Sequence, residues 1–221
     1  MSQSPEINER SISIPPNGIA ADLRVPARAA GLVIFAHGSG SSRLSTRNRF
    51  VAEVLNHAGL ATLLLDLLTS AEEQIDLRTR HLRFDIDLLA NRLAEATEWA
   101  KGHREIERLP IAYFGASTGA AAALLATAKL PDPIRAVVSR GGRPDLAGTA
   151  LAQVKAPTLL IVGGDDIPVL ELNRRAFDEL HCEKKLEIVP HATHLFEEPG
   201  TLERVATLAS EWFQQHSTMN L

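Results

Sequence analysis

IAYFGASTGA (residues 111–120) is the stretch that decides the fold, because it joins a strand pattern to a helix pattern through a run of small residues. Residues 111–114 are apolar or aromatic and typical of a strand, and an alanine-rich helical run follows from Ala120. Between them G-A-S-T-G matches G-x-S-x-G, a motif that is weak alone but informative between a strand and a helix. In that setting the glycines allow a tight turn, and the helix start directs free N–H groups toward the exposed Ser117 hydroxyl. The alternative interpretation is that Ser117 only caps the helix.

Runs of strand length recur on both sides of this turn. They lack strict alternation, as is typical of strands buried on both faces of a parallel sheet. These runs are residues 31–36, 60–66, 110–114, 134–139, 157–162 and 185–189. Helical spacing of apolar residues occupies the ranges 46–57, 81–101, 120–129, 169–180 and 201–215. The alternation predicts an α/β fold of three layers, αβα, around a doubly wound, mostly parallel sheet.

The chain length and its ends predict a simple domain organisation. A chain of 221 residues fits one hydrophobic core, so we expect a single domain over residues 1–221. Residues 1–26 are expected to form an edge hairpin, because residues 7–14 alternate and a turn at 15–18 precedes a second extended run. Residues 217–221 are expected to be a frayed tail.

Composition excludes several classes of protein. The formal net charge is −4, from 23 Lys and Arg against 27 Asp and Glu, so nucleic acid is not an expected partner. The apolar runs are too short to cross a membrane, and the polar first ten residues do not resemble a secretory signal. Cys182 is the single cysteine, and metal or nucleotide motifs are missing from the sequence. We therefore expect a cytoplasmic monomer or homodimer that uses no metal and no cofactor.

A nucleophilic serine needs a general base, because a hydroxyl is too weakly acidic to attack a carbonyl unaided. His194 is the candidate, since its loop follows the last predicted strand and leaves the same sheet edge as the Ser117 turn. His191, in the same loop, is the second choice. Five further histidines fall on or beside predicted helices and are expected on the surface: His57, His81, His103, His181 and His216.

The base needs a carboxylate that fixes its tautomer and stabilises its protonated form. Asp165 and Asp166 both follow the predicted strand 157–162, in the chain order serine, acid, histidine. Spacing from the preceding glycine pair favours Asp166, and Asp165 stays open as a second candidate. The alternative for either carboxylate is a role in capping the following helix.

The loop HGSGSS (37–42) follows the predicted strand 31–36 and supplies candidate oxyanion donors. Its small residues allow backbone N–H groups to approach a substrate oxygen, and we assign that role to the N–H groups of Ser39 and Thr118. A phosphate-binding loop is the competing interpretation. The G-x-x-x-x-G-K-[ST] spacing and its lysine are missing, which argues against that alternative.

Together with the Ser117 turn, the segments HGSGSS (37–42), GGDD (163–166) and HATHLFEEPG (191–200) resemble the α/β-hydrolase superfamily, specifically small proteins of the dienelactone hydrolase family. The resemblance spans nearly the whole chain and implies a sheet of about eight strands with the first antiparallel.

The resemblance also implies roles for single residues. It makes Ser117 the nucleophile, Asp166 the acid and His194 the base, with oxyanion donors at Ser39 and Thr118. Dienelactone hydrolases proper carry cysteine at the nucleophile position, where this chain has serine. The expected activity is therefore that of a general serine hydrolase, which cleaves small ester, lactone or thioester substrates through an acyl-enzyme.

The substrate side is less determined by the sequence. Only residues 140–156 separate two predicted strands, so no large lid is expected there. Candidate walls of the substrate site are Gly38 and the segment 67–79, which begins with Leu67 and Leu68.

Arg140 and Arg143 follow another strand end and are candidates for pairing with an acidic group of the substrate. The alternative is a salt bridge to a local acid such as Asp145.

Two other functions remain compatible with these motifs. An acyltransferase or thioesterase uses the same triad and passes the acyl group to a different acceptor, for which no sequence motif exists. A binding module that has lost catalysis can also keep this fold. Intact residues at every required position argue against that second alternative.

Overall fold

One eight-stranded sheet forms the centre of the protein in the computed structural model, which describes residues 7–130 and 134–217. Its strands are β1 (Ile7–Ile14), β2 (Ile19–Pro26), β3 (Leu32–Ala36), β4 (Ala61–Leu65), β5 (Ile111–Ala116), β6 (Val137–Arg140), β7 (Thr158–Gly163) and β8 (Lys184–Val189). The spatial order is β1-β2-β4-β3-β5-β6-β7-β8. The predicted α/β fold with a mostly parallel sheet is confirmed.

The strand that runs against the others is the second and not the first. β2 pairs antiparallel with both β1 and β4, while β4, β3, β5, β6, β7 and β8 are mutually parallel. The expectation of an antiparallel first strand is therefore wrong in this detail. β1 and β2 are joined by a short hairpin turn, which reverses the chain between neighbours, and β2 then meets β4 from the opposite direction.

Helices cover the sheet on both faces. They are α1 (Thr46–His57), α2 (Ser70–Thr79), α3 (Ile86–Lys101), α4 (Thr118–Lys129), α5 (Ile167–Glu179) and α6 (Thr201–His216). Two 3₁₀ segments lie at Leu82–Phe84 and Pro144–Gln153. One apolar cluster packs α1 and α6 against the sheet, and a second packs α3 and α4 against the other face. Strands β3, β4, β5 and β7 are buried on both faces, as their continuous apolar runs predicted.

The helix pattern of residues 81–101 is only partly borne out. α3 begins at Ile86, after the Asp85 side chain accepts a hydrogen bond from the Leu88 N–H, and the residues before it form a 3₁₀ turn. α2 precedes that turn and was not predicted as a helix. Its only buried residue is Asp76, so it lacks the apolar stripe by which helices are recognised in a sequence.

The order of the strands opens a crevice at one sheet edge. β3 lies between β4 and β5, so the chain leaves β3 for one side of the sheet and later returns on its other side. Ligand sites of open α/β sheets lie at such a switch point, beyond the carboxyl ends of the strands. The described helices include none that is long and apolar enough to span a membrane. The predicted tail, apart from residue 217, and residues 1–6 of the hairpin region lie outside the described residues.

Candidate active site

Ser117 occupies the sharp turn between β5 and α4. Its backbone has φ 51° and ψ −121°, a conformation that non-glycine residues rarely adopt. Two main-chain bonds hold it there: the Ser117 N–H donates to the Arg140 oxygen at 3.2 Å, and the Arg143 N–H donates to the Ser117 oxygen at 3.0 Å. A side chain at Gly119 would overlap the carbonyl oxygen of Ala36 in β3, so glycine is required where α4 crosses that strand. The strand-turn-helix setting that the motif needs is thus present.

Asp166 and His194 meet beside this turn. Asp166 follows β7, His194 follows β8, and the His194 Nδ1 lies 2.7 Å from Asp166 Oδ2. The carboxylate can only accept, so Nδ1 carries the proton and Nε2 is left as the free acceptor. The imidazole is partly exposed, with 39% of its side-chain surface open, whereas 13% of the Asp166 side chain is exposed. An imidazole with this tautomer can take a proton from a neighbouring hydroxyl.

The competing candidates lie elsewhere. The Asp165 side chain is exposed, and its contribution to this region is a main-chain bond from its N–H to the Ala192 oxygen at 3.0 Å. His191 is also exposed and makes no hydrogen bond to either aspartate within the described residues. Of the four candidate side chains, the structure therefore brings together Asp166 and His194.

The Ser117 backbone and the His194 ring both lie at the end of β6. A methyl group added at Gly141 would lie 3.6 Å from His194 Nδ1. The backbone carbonyl oxygen of the preceding residue, Arg140, accepts the hydrogen bond from the Ser117 N–H. Within the described residues no hydrogen bond joins Ser117 Oγ to His194. Catalytic hydrogen bonds are often long before substrate binds and tighten in the complex.

Two unbonded N–H groups lie near the Ser117 side chain. Neither the Ser39 N–H nor the Thr118 N–H has an acceptor in the described part of the chain. Gly38, the residue before Ser39, is so close to the turn that an added methyl would lie 3.0 Å from Ser117 Cβ. Thr118 is buried at the first position of α4, where helix N–H groups lack intrahelical partners. Both groups are thus available to an oxyanion.

His37 is a residue of this site that sequence reasoning missed. It is 9% exposed, and its Nδ1 lies 2.9 Å from the Gly38 oxygen while its Nε2 accepts the Leu67 N–H at 3.1 Å. Burial lowers the pKa of His37 below its ordinary value, and the Gly38 hydrogen bond and the charges of Asp66 and Glu73 only partly oppose this. The available signal was its place as the first residue of the loop after β3.

A cleft with a volume of about 150 Å³ lies beside the unbonded N–H groups, on the β4 side of the sheet. Gly38, Ser39 and Thr118 line one end of it. Leu67 and Leu68 line the cleft, together with Leu77 of α2 and Leu89 of α3. The lining also includes the charged residues Asp66, Glu73, Asp76 and Arg83.

Ion pairs compensate most of the charge in this cleft. The Arg43 Nη1 donates to Asp66 at 2.7 Å, and the Arg83 Nε donates to Asp76 at 2.5 Å. Burial raises the pKa of Asp76, but the hydrogen bonds from Arg83 outweigh it and hold this pKa below its ordinary value. Glu73 has no ion-pair partner within the described residues. Neutral apolar surface and one uncompensated carboxylate therefore face the cleft.

The two arginines near the end of β6 have different surroundings. Arg143 donates twice to Asp145, at 2.9 and 2.8 Å, and this pairing raises the pKa of Arg143. The local salt bridge is therefore the observed state of Arg143.

Arg140 is 7% exposed, and its Nε and Nη1 are buried without a hydrogen-bond partner in the described residues. Its guanidinium lies 5.9 Å from the centre of the Phe196 ring. Burial, and secondly the charge of Arg47, lower the pKa of Arg140 to about 10.

The site offers no arrangement of metal ligands. Across residues 7–130 and 134–217, no group of three or more His, Cys, Asp or Glu side chains is positioned to hold a metal ion. The only cysteine, Cys182, is partly buried near the end of α5, where its Sγ lies 3.7 Å from Thr158 Oγ1.

Comparison with known proteins gives relatives at high identity. A dienelactone hydrolase from Anabaena variabilis is 58% identical, with a TM-score of 0.92 over 97% of this chain and 100% of that one. The protein named "Putative phosphoribosyl transferase" in two strains of Mycobacterium tuberculosis is 59% identical over 201 residues, 91% of this chain. The chain spans 44% of the length of those curated relatives. No family model matches the sequence.

A more distant structure shows the same fold. Est1E from Butyrivibrio proteoclasticus, with ferulic acid bound, has a TM-score of 0.76 at 19% identity, over 92% of this chain and 98% of that one. At that identity the likeness concerns the fold alone.

Proposed function

The chain belongs to the dienelactone hydrolase family of α/β-hydrolases, and from that premise we propose that it is a serine hydrolase in which Ser117, His194 and Asp166 form the catalytic triad. The observation that carries this proposal is the 2.7 Å contact between His194 Nδ1 and Asp166, at the sheet edge where the Ser117 turn lies. The N–H groups of Ser39 and Thr118 support the proposal independently, because they lie near Ser117 without an acceptor in the described part of the chain, and a developing oxyanion needs such donors.

The proposed reaction has two steps, acylation of Ser117 and hydrolysis of the acyl-enzyme. In the first, Ser117 Oγ forms a bond to the carbonyl carbon of the ester while its proton passes to His194 Nε2. Asp166 stabilises the imidazolium, and the Ser39 and Thr118 N–H groups hold the oxyanion. Collapse of the intermediate breaks the bond to the leaving group, which takes the proton from His194. In the second step water gives a proton to His194 and attacks the acyl carbonyl carbon. Collapse of this intermediate breaks the bond to Ser117 Oγ, releases the carboxylic acid and returns the proton from His194 to Ser117 Oγ.

The cleft supports a small substrate whose acyl part is apolar and uncharged. Its volume is about 150 Å³, and four leucines contribute to its walls. Est1E, which has the same fold, binds ferulic acid, and we propose a carboxylic ester as substrate here by analogy of fold. Esters, lactones and thioesters of short acyl groups are the substrates we propose.

For Arg140 we propose that its guanidinium pairs with an acidic group of the substrate. Arg143 is neutralised by Asp145, whereas the Arg140 guanidinium has no carboxylate partner within the described residues. A carboxylate or other oxyanion of the substrate is the ligand that would compensate this charge. This role of Arg140 is wrong if replacing Arg140 leaves the preference between neutral and carboxylate-bearing esters unchanged.

The name of the Mycobacterium tuberculosis relatives suggests a different activity. Those proteins are more than twice as long as the matched region, since the chain spans 44% of their length. We propose that hydrolase chemistry belongs to the part they share with this chain, because its motifs and contacts suit acyl transfer to Ser117. Phosphoribosyl transfer would then belong to the part of those proteins outside the match.

The test is labelling with a fluorophosphonate probe, comparing the wild type with Ser117→Ala. The wild type should be labelled and should release p-nitrophenol from p-nitrophenyl acetate, and Ser117→Ala should do neither. A folded wild type that is not labelled would contradict the proposal and favour a binding module. Adding alcohol or thiol acceptors to the esterase assay separates hydrolysis from acyl transfer, because a transferase gives the new ester or thioester as product.

A further inference from the structure

His37 joins the loop after β3 to the loop after β4. Its ring is buried between them, with Nδ1 2.9 Å from the Gly38 oxygen and Nε2 3.1 Å from the Leu67 nitrogen. Gly38 lies beside the Ser117 turn, and Leu67 forms part of the cleft wall. One side chain therefore contacts both the oxyanion loop and the substrate wall.

These two contacts fix the tautomer of His37. The Leu67 N–H can only donate, so Nε2 must be the unprotonated acceptor of the neutral imidazole. Nδ1 then carries the hydrogen and donates it to the Gly38 carbonyl. A protonated ring would direct an N–H at the Leu67 N–H, and the burial of the ring disfavours that state.

The Gly38 carbonyl and the Ser39 N–H belong to one peptide unit. Because a peptide is planar and trans, its N–H points away from its C=O, and fixing the oxygen fixes the direction of the N–H. The Gly38 oxygen accepts two bonds, from His37 Nδ1 and from the Ser41 N–H at 3.1 Å. The Ser39 N–H on the opposite side has no acceptor within the described residues. A hydrogen bond to the carbonyl also polarises the peptide and strengthens its N–H as a donor.

We infer that His37 is a positioning residue: its Nδ1–H holds the Gly38–Ser39 peptide so that the Ser39 N–H faces the oxyanion formed on Ser117. This inference rests on the proposed function, because the Ser39 N–H can face an oxyanion only if Ser117 is the nucleophile. The competing interpretation is that His37 only ties two loops together and contributes to stability. The two interpretations differ in which ring nitrogen matters for turnover.

A matched pair of variants separates the two nitrogens. In His37→Asn the side-chain amide can replace Nδ1 and donate to Gly38, whereas in His37→Gln the amide oxygen can replace Nε2 and accept from Leu67. We expect His37→Gln to lose about tenfold in kcat on p-nitrophenyl acetate with KM nearly unchanged. This is less than the hundredfold or more typical of a lost oxyanion donor, because the Ser41 N–H still holds the carbonyl. His37→Asn should recover most of that loss.

Several outcomes would overturn the inference. It is wrong if His37→Gln keeps the wild-type kcat, if both variants lose kcat equally, or if the loss follows the melting temperature of each variant. The Ser117→Ala protein separates this failure from that of the proposed function. If Ser117→Ala still hydrolyses the ester, the serine-hydrolase proposal fails, whereas an inactive Ser117→Ala beside a fully active His37→Gln rejects only the role of His37.

A measurement on the wild type keeps the inference testable if either variant does not fold. ¹⁵N spectra of histidine-labelled protein at neutral pH should show His37 with a protonated Nδ1 and an unprotonated Nε2. After labelling with the fluorophosphonate, the Ser39 amide proton should move downfield as it bonds to the phosphonyl oxygen. A His37 protonated at Nε2, or a Ser39 amide proton that does not move, would overturn the inference.

Discussion

The two sides of Ser117 are held in place by different kinds of contact. Beyond β7 and β8, the loops that carry Asp166 and His194 meet mainly through their backbones: the Asp165 N–H donates to the Ala192 oxygen, and Gly163 is packed against the same carbonyl. Beyond β3 and β4, the loops and α2 are joined mainly by side chains. These side-chain contacts are His37 with Leu67, Arg43 with Asp66, Thr69 with Glu72, and Arg83 with Asp76.

This difference indicates how the site can change. Apart from changes at closely packed glycines, replacing one side chain leaves a backbone contact in place, so we expect the proposed acid and base to keep their geometry when other side chains change. Side-chain contacts can be exchanged singly, so the substrate wall can vary without disturbing Asp166 and His194. We propose that the acid and base lie on one half of the sheet edge, whereas the other half carries the substrate wall together with the Ser39 donor, and the variants below test that division.

The largest effect is expected from Asp166→Asn. The amide cannot stabilise the protonated His194 and favours the wrong tautomer, and in established triads this change lowers kcat by about 10,000-fold. Turnover of p-nitrophenyl acetate is the measurement, with Asp165→Asn as the matched control because its side chain is exposed. A greater loss in the control would show that the acid is Asp165.

Gly163→Ala should disturb the loops after β7 and β8, which meet through backbone contacts. The added methyl would overlap the Ala192 carbonyl oxygen and approach that of Thr193 at 2.7 Å, so the His194 loop must move. We expect a loss of about 1–3 kcal/mol in the free energy of unfolding, measured in urea, together with reduced kcat. Gly164→Ala is the control, because its nearest contact would be at 3.3 Å. Equal stability of the two variants would contradict the tight packing of these loops.

Asp76→Asn should affect the substrate wall more than the chemistry. Asp76 is 2% exposed and accepts bonds from the Arg83 Nε and the Arg83 N–H, so it holds the end of α2 to the following 3₁₀ turn. Losing the charge-assisted bond should lower the free energy of unfolding, as measured in urea. KM for p-nitrophenyl hexanoate should rise several-fold, and kcat should change less. Arg78→Ala, an exposed change on the same helix, is the control. A fall in kcat with an unchanged KM would contradict the proposal that this half of the sheet edge acts on substrate binding more than on the chemistry.

The smallest effect is expected from Arg140→Met, and its sign is informative. An unpaired buried charge is costly, so an apolar side chain of similar length should stabilise the unliganded protein by about 1 kcal/mol, even after the Phe196 contact is lost. Urea unfolding measures this, with Arg143→Met as the control that breaks the Asp145 pair. A less stable Arg140→Met would show that the cation contributes to the fold.

Local patterns were enough to predict the strands and the Ser117 turn. The runs that become β3, β4, β5 and β7 are continuous and apolar because both sheet faces are covered, and the small residues of the turn follow directly on β5. α2 could not be found from periodicity, since its Ile75 and Leu77 are exposed and Asp76 is its buried residue. Its signal was the capping box of Thr69 and Glu72.

The surroundings of His37 and Arg140 could not be read from the sequence. His37 receives its partner from Leu67, 30 positions later, and the Arg140 guanidinium lies over Phe196, 56 positions later. No spacing rule encodes such contacts, because they depend on how β3 lies beside β4 and on the course of the loop after β8. The pairing of Asp166 with His194 was predicted only because both follow parallel strands, whose carboxyl ends meet at one edge.

The left-handed backbone at Ser117 implies a conflict between stability and activity. Serine has a Cβ that disfavours φ near 51°, while glycine accepts that angle readily. Ser117→Gly and Ser117→Ala should both be inactive. The free energy of unfolding of the glycine variant should exceed that of the alanine variant by roughly 1 kcal/mol, so the glycine variant should also melt at a higher temperature. That difference would measure the conformational strain that the fold accepts at residue 117 in order to present one hydroxyl group. Selection for stability alone would therefore replace Ser117 by glycine.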